Sequence, residues 1–213
     1  KNLTIAGLSI KRIFSIFFYM NNELGKLDEE EREAIAKSKF IETEVLEFLS
    51  KDESSHVRRS VATNLKSTDA ILDRLSKDED SGVRVGVAKN PSTSGKILNF
   101  LSRDKDDEVR FEVAGNESTL SETLAHLASD KHPVIRRNVA INKNTLPETL
   151  ALLGKERYDF GIKYFVAHNP NTPEKIRDKL KRNLPKGVWA IIPSIEALHD
   201  YYDHDDDEDD YWY

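Results

Sequence analysis

Apolar positions recur along this chain with two periods at once, four residues within a segment and about twenty-six between segments. Five stretches align: Val57–Asn64, Val83–Asn90, Val109–Asn116, Ile135–Asn142 and Ile162–Asn169, with starts 26, 26, 26 and 27 residues apart. Each opens on Val or Ile and carries Val four residues later (Val61, Val87, Val113, Val139, Val166), a spacing that puts both on one face of a helix. Ala62, Ala88, Ala114, Ala140 and Ala167 follow, small residues suited to a close approach between neighbouring backbones. Each stretch ends in Asn (Asn64, Asn90, Asn116, Asn142, Asn169), which tolerates left-handed backbone and so predicts a helix end or turn.

A second helix is predicted after each Asn. Ser67, Thr93, Thr119, Thr145 and Thr172 stand three residues on, where a hydroxyl N-cap is expected. Thr119 with Glu122 and Thr145 with Glu148 have capping-box spacing, and Thr172-Pro173 puts proline at a first helical position. Leu75, Leu101, Leu127, Leu153 and Leu180 then form an apolar row, accompanied by Leu72, Leu98, Leu124 and Leu150 until Arg177 breaks the companion row. The period is that of a repeat protein, in which no unit buries its apolar face alone. Residues 31–49 read as a degenerate further repeat, with Ala34-Ile35-Ala36 in the first-helix position and Val45 to Leu49 in the second. An amphipathic stripe of Ile10, Ile13, Phe14, Phe17 and Met20 predicts an N-terminal helical cap over residues 1–30; its short apolar part makes a poor signal peptide. Val188, Trp189, Ile191, Ile192, Ile195 and Leu198 predict an opposite cap over 181–198.

The phrase Leu-x-x-Leu-x-x-Asp followed by Val-Arg-x-x-Val-Ala-x-Asn-Pro-x-Thr-Pro resembles the leucine-rich repeat variant, a HEAT-like short α-solenoid repeat. Phe165-Val166-Ala167-His168-Asn169-Pro170-Asn171-Thr172-Pro173 is its fullest copy, and the resemblance spans residues 31–180. It implies an all-α fold: a right-handed α-solenoid, or superhelix, of about 26-residue two-helix repeats with helical caps, 3₁₀ geometry being open to one helix of each pair. It says almost nothing about function. One member of that family carries an iron–sulfur cluster on N-terminal cysteines, a feature that does not transfer to a chain without cysteine.

Composition sharpens this picture in two places. The absence of cysteine excludes disulfides, thiol catalysis and Cys-ligated metal, and fits a reducing, cytoplasmic location. The formal charge of −6 is concentrated in an acidic aromatic tail, residues 199–213, which holds eight of the 38 acids and none of the 32 basic residues. The rest is near neutral, without the broad basic field of a nucleic-acid binder. No apolar run is long enough to span a membrane.

Two charged rows follow the repeat. Arg58, Arg84, Arg110, Arg136 and Lys163 form a basic row, and Asp52, Asp78, Asp104, Asp130 and Glu156 precede them by six residues, or seven in the last case. Acid and base co-vary in every repeat, which favours a structural ladder tying turns to helices over a phosphate-binding stripe. The next position reads Arg59, Val85, Phe111, Arg137 and Tyr164, and one turn on come Thr63, Lys89, Gly115, Ile141 and His168. Expected to face away from the core, this mixture has the composition of protein-binding hot spots; packing against the next helix layer is the alternative. Arg59, Val85, Phe111, Arg137, Ile141, Tyr164 and His168 are therefore candidate partner contacts. Tyr211, Trp212 and Tyr213 are candidates in the tail, as a docking motif or as a segment folding back over the Arg-containing row. Phosphate-loop, dinucleotide, zinc-protease and nucleophile-elbow motifs are absent, so no catalytic residue, cofactor or metal site is assigned. The expectation is a non-catalytic interaction scaffold for a protein partner, a basic one being the match for the acidic tail. The alternatives are a nucleic-acid-binding repeat module masked by its tail and, at the far end, a helical-repeat DNA glycosylase-like enzyme.

Overall fold

The computed structural model describes residues 4–5, 8–9, 23–156 and 159–184. The N-terminal stripe, the C-terminal cap beyond Leu184 and the acidic tail lie outside the described residues. The chain divides into two compact units, residues 1–93 and 94–213.

The first unit opens with two short strands, β1 (Thr4–Ile5) and β2 (Leu8–Ser9), paired antiparallel. A 3₁₀ turn over Leu24–Lys26 leads into α1 (Glu29–Ala36), α2 (Thr43–Leu49), α3 (Ser55–Thr63), α4 (Asp69–Leu75) and α5 (Ser81–Lys89). The second unit carries α6 (Gly95–Leu101), α7 (Asp107–Gly115), α8 (Ser121–Leu127), α9 (Pro133–Ile141), α10 (Pro147–Leu153), α11 (Phe160–His168) and α12 (Glu174–Asn183). From α1 to α12 every element is α-helical, so both helices of a pair are α despite their shortness. Odd-numbered helices are the first members of each pair and even-numbered ones the second. Within each unit, successive first helices pack side by side, and each second helix sits against the first helices flanking it in sequence. This is a helical-repeat solenoid.

Helices of seven to ten residues are marginal alone, so their stability comes from what they bury. Both Val/Ile rows and the Ala row of the five clear repeats are fully buried, as are the Leu rows apart from Leu180, which is nearly so. The reason for a small residue in the Ala row is visible between α3 and α5. A Cβ built on Gly86 would stand 3.1 Å from the Ala62 Cβ and 3.4 Å from the Arg59 carbonyl oxygen.

The Asn row has a different role from the one its backbone tolerance predicts. None of the five is left-handed; all are extended, with φ from −60° to −71° and ψ from 121° to 129°. Their side chains instead join repeats. Asn64 Nδ2 donates to the carbonyls of Ala36 and Ser38 (2.7 and 3.1 Å), and Asn90 Nδ2 to those of Ala62 and Asn64 (2.7 and 3.0 Å). In the second unit Asn142 reaches Ala114 and Asn116, and Asn169 reaches Ala140 and Asn142. Meanwhile each Oδ1 accepts the backbone N–H two residues on, as Asn142 does from Asn144 at 2.9 Å. Only a short primary amide donates twice and accepts once here; Asp cannot donate and Ser cannot reach.

The hydroxyl row is also corrected. Ser67, Thr93, Thr119, Thr145 and Thr172 are not N-caps but donate back to the carbonyls of Val61, Val87, Val113, Val139 and Val166 at 2.5–2.6 Å. The residue after each one is the N-cap, and only Thr68 among these caps through its side chain. The two capping boxes anticipated at Thr119 and Thr145 do not form, and Pro173 is itself an N-cap; a capping box is found at Asp28 and Glu31 on α1. The carbonyls at the ends of α3, α7 and α9, which a helix leaves without partners, thus receive a hydroxyl from their own repeat and an amide from the next.

Asn142→Ala removes two donors and an acceptor from buried carbonyls and an N–H, and is expected to lower stability by about 2–3 kcal/mol. Asn142→Asp is expected to do no better, because it restores only the acceptor. Urea unfolding followed by circular dichroism measures both.

Candidate functional site

The charged ladder forms, with an offset the spacing alone leaves open. Arg58, Arg110 and Arg136 each bridge to the acid of the following repeat, twenty residues on, and reach their own repeat's acid only through backbone. In the first unit Arg58 Nε and Nη2 grip the Asp78 carboxylate at 2.7 and 2.8 Å, while Nη1 donates to the carbonyls of Asp52 and Glu53 at 2.9 Å. Arg32 does the same to Asp52, a rung that the 26-residue step back from Arg58 would have revealed. Arg84 Nη1 donates to the carbonyls of Asp78 and Glu79. In the second unit Arg110 pairs with Asp130 at 2.7 Å and Arg136 with Glu156 at 3.0 Å. Asp104 Oδ1 accepts the Asp106 N–H, the same tight turn that Asp52, Asp78 and Asp130 make, and Lys163 lies over the Phe160 ring.

These pairs are largely removed from water: the Arg58 and Asp78 side chains are 11% and 9% exposed. Burial pushes the Asp78 carboxyl upward, but the Arg58 hydrogen bond, the Asp80 N–H and the charges of Arg58 and Arg84 outweigh it and hold the group below the ordinary Asp range. Asp130 is held low in the same way, burial being overcome by Arg110 and the His132 N–H. A guanidinium spent on a carboxylate and two carbonyls has four of its five N–H donors in use and its charge matched, which leaves it poorly placed to clamp a phosphate.

The neighbouring row splits. Val85 and Phe111 are fully buried, which corrects their assignment as partner contacts. Tyr164, on the last first helix described, is half-buried, whereas at Arg59 and Arg137 the row points sideways at the next first helix. Arg59 shows this against Gly82, whose Cβ would lie 3.8 Å from the Arg59 Cδ, and Arg137 against Gly161, whose Cβ would lie 2.9 Å from the Arg137 Nε. Arg137 is moreover paired with Asp159 (3.1 Å), which also caps α11 through the Ile162 N–H. An aromatic side chain in the same register on α7 goes inward, and the Phe111 carbonyl accepts from Asn138 Nδ2 at 3.2 Å.

The outward positions lie one turn on. Thr63 and Lys89 are exposed in the first unit; in the second, Gly115 and His168 are exposed and Ile141 half-buried. His168 Nδ1 donates to the Tyr164 carbonyl at 2.7 Å, and its ring lies 4.1 Å from the Tyr164 ring, tilted by 33°. That hydrogen bond turns Nε2 outward. Tyr164 also meets Phe165 edge-on. Arg59 remains exposed, and Tyr211, Trp212 and Tyr213 lie outside the described residues. What survives as a surface is therefore Ile141, Tyr164 and His168 beside the bare backbone of Gly115, on α7, α9 and α11, with the Arg137–Asp159 pair at its edge. Among the described residues no cluster of three His, Asp or Glu side chains is placed to hold a metal ion, and no helix is long and apolar enough to cross a membrane.

The class of protein defined by this geometry is the short helical-repeat solenoid. One solved structure, described as a leucine-rich repeat variant with a novel repetitive structural motif, is similar over 79% of this chain and 70% of its own, with a TM-score of 0.56 and 22% identity. The fold is thus of leucine-rich-repeat-variant type. No family model and no curated protein matches the chain.

Asp78→Ala strands a buried guanidinium and is expected to cost about 3–5 kcal/mol. Because Asp78 and Asp130 are more acidic folded than unfolded, their contribution is complete above about pH 4 and lost as pH falls through their lower folded values. Acid unfolding of Asp78→Asn is expected to be shallower than that of the parent, with lower stability at neutral pH.

Proposed function

We propose that this chain is a non-catalytic scaffold that binds a protein partner in the cytoplasm through the second unit's outward first-helix face, with the acidic aromatic tail as a second element. The observation that carries this reading is the contrast along the first helices. In this unit Arg110, Arg136 and Arg137 are taken up internally by carboxylates, while Ile141, Tyr164 and His168 present an aliphatic, an aromatic and an imidazole group around an exposed glycine. Such mixtures, with aromatic anchors and little net charge, favour protein over nucleic-acid surfaces. Repeat scaffolds of this kind use a rigid row of helices to hold the contact residues.

The test is a photo-crosslinking residue at position 164 of the full chain in native lysate. A discrete protein adduct that survives nuclease, and is lost in Ile141→Asp with helicity unchanged, supports the reading. Weakening by a combined Tyr211→Ala, Trp212→Ala and Tyr213→Ala variant assigns the tail its part. A nuclease-sensitive adduct overturns the proposal in favour of a nucleic-acid module.

A further inference from the structure

Asn183 lines a groove of about 640 Å³ formed by α10, α11 and α12. Its rim carries Lys155, Lys163, Lys175 and Lys179, and its floor includes Ile176 and Leu180. The carboxylate in its wall, Glu156, is held by Arg136. The groove therefore combines a surplus of positive charge with an apolar floor, and it shares none of Ile141, Tyr164 or His168.

We propose that this groove is the intramolecular seat of the chain's own tail, residues 199–213. The chemistry is complementary on both counts. Eight carboxylates (Asp200, Asp203, Asp205, Asp206, Asp207, Glu208, Asp209, Asp210) face four ammonium groups, and the flanking tyrosines and Trp212 supply apolar surface for Ile176 and Leu180. Reach is ample: Leu184 lines the groove, and the fourteen residues between it and His199 cover roughly 20 Å as a helix and roughly 45 Å fully extended. A tether of that length holds the tail near the groove at an effective concentration on the order of millimolar, so even weak contacts are populated. The Arg-containing row is the poorer seat, because Val85 and Phe111 in it are buried and Arg137 already holds a carboxylate. This contact stands independently of the recognition face described above.

The absence of cysteine makes the test clean. His204→Cys in the full chain accepts one nitroxide label and leaves every tail carboxylate and aromatic in place. The expected result is loss of amide NMR intensity at Lys155 and over residues 174–184, relative to the reduced label and unchanged on dilution. That loss is to disappear in Lys155→Gln, Lys175→Gln, Lys179→Gln combined. It is likewise to disappear in the unsubstituted parent at about 1 M salt, where screening acts within roughly 3 Å. Loss centred instead on Arg59, Ile141 or Tyr164, loss that depends on protein concentration, loss that persists in both the variant and high salt, or no loss at all overturns the proposal.

Discussion

Within each unit, a repeat leaves its first helix unfinished and the following repeat finishes it. The carbonyls that end a first helix are buried, so they need donors from somewhere other than water. One comes from the hydroxyl of the same repeat, such as Thr145 to Val139, and the others from the amide of the next repeat's Asn, as when Asn169 reaches Ala140 and Asn142. Hydrophobic rows bring the helices together, but they are tolerant of sliding. A two-donor amide aimed at two particular carbonyls is not. Register between neighbours is thus set by polar groups that sit inside an apolar interface, where leaving any of them unmet is costly.

The Arg–acid ladder repeats this logic on the other end of the first helix. Its guanidinium holds the loop of its own repeat through carbonyls and the loop of the next through a carboxylate, as Arg58 does with Asp52, Glu53 and Asp78. A first helix is therefore clamped at both ends, and its outward side is left free for variation. That division explains why the rows at Asn and Arg are nearly constant along the chain while Thr63, Lys89, Gly115, Ile141 and His168 differ completely in chemistry.

Much of the fold was legible because it depends on periodicity, which a single chain displays to itself. The Val, Ala and Leu rows, the paired helices and the degenerate repeat at 31–49 all follow from it. The Asn role was not, because its acceptors are carbonyls some twenty-six to twenty-nine residues earlier, and backbone atoms leave no mark in a sequence. The ladder's partner choice was ambiguous for a related reason: an acid six residues before each Arg and one twenty after are equally regular. Of the candidate site, His168 is exposed and Ile141 and Tyr164 are half-buried. Val85 and Phe111 are fully buried, since the row they belong to faces the next first helix, and an Arg fits that position beside Gly82 or Gly161.

The forward offset of the ladder gives the stack a direction. Within each unit, a repeat offers a cation toward its successor and a carboxylate toward its predecessor, like a coupling with unlike ends. Whole repeats joined in the same sense meet with the same chemistry wherever they occur within a run. Duplication or loss of a complete 26-residue block then preserves its joints, whereas reversing one block would set like charges against each other. Such a chain changes length by whole modules, and the surface it offers a partner grows or shrinks one helix at a time.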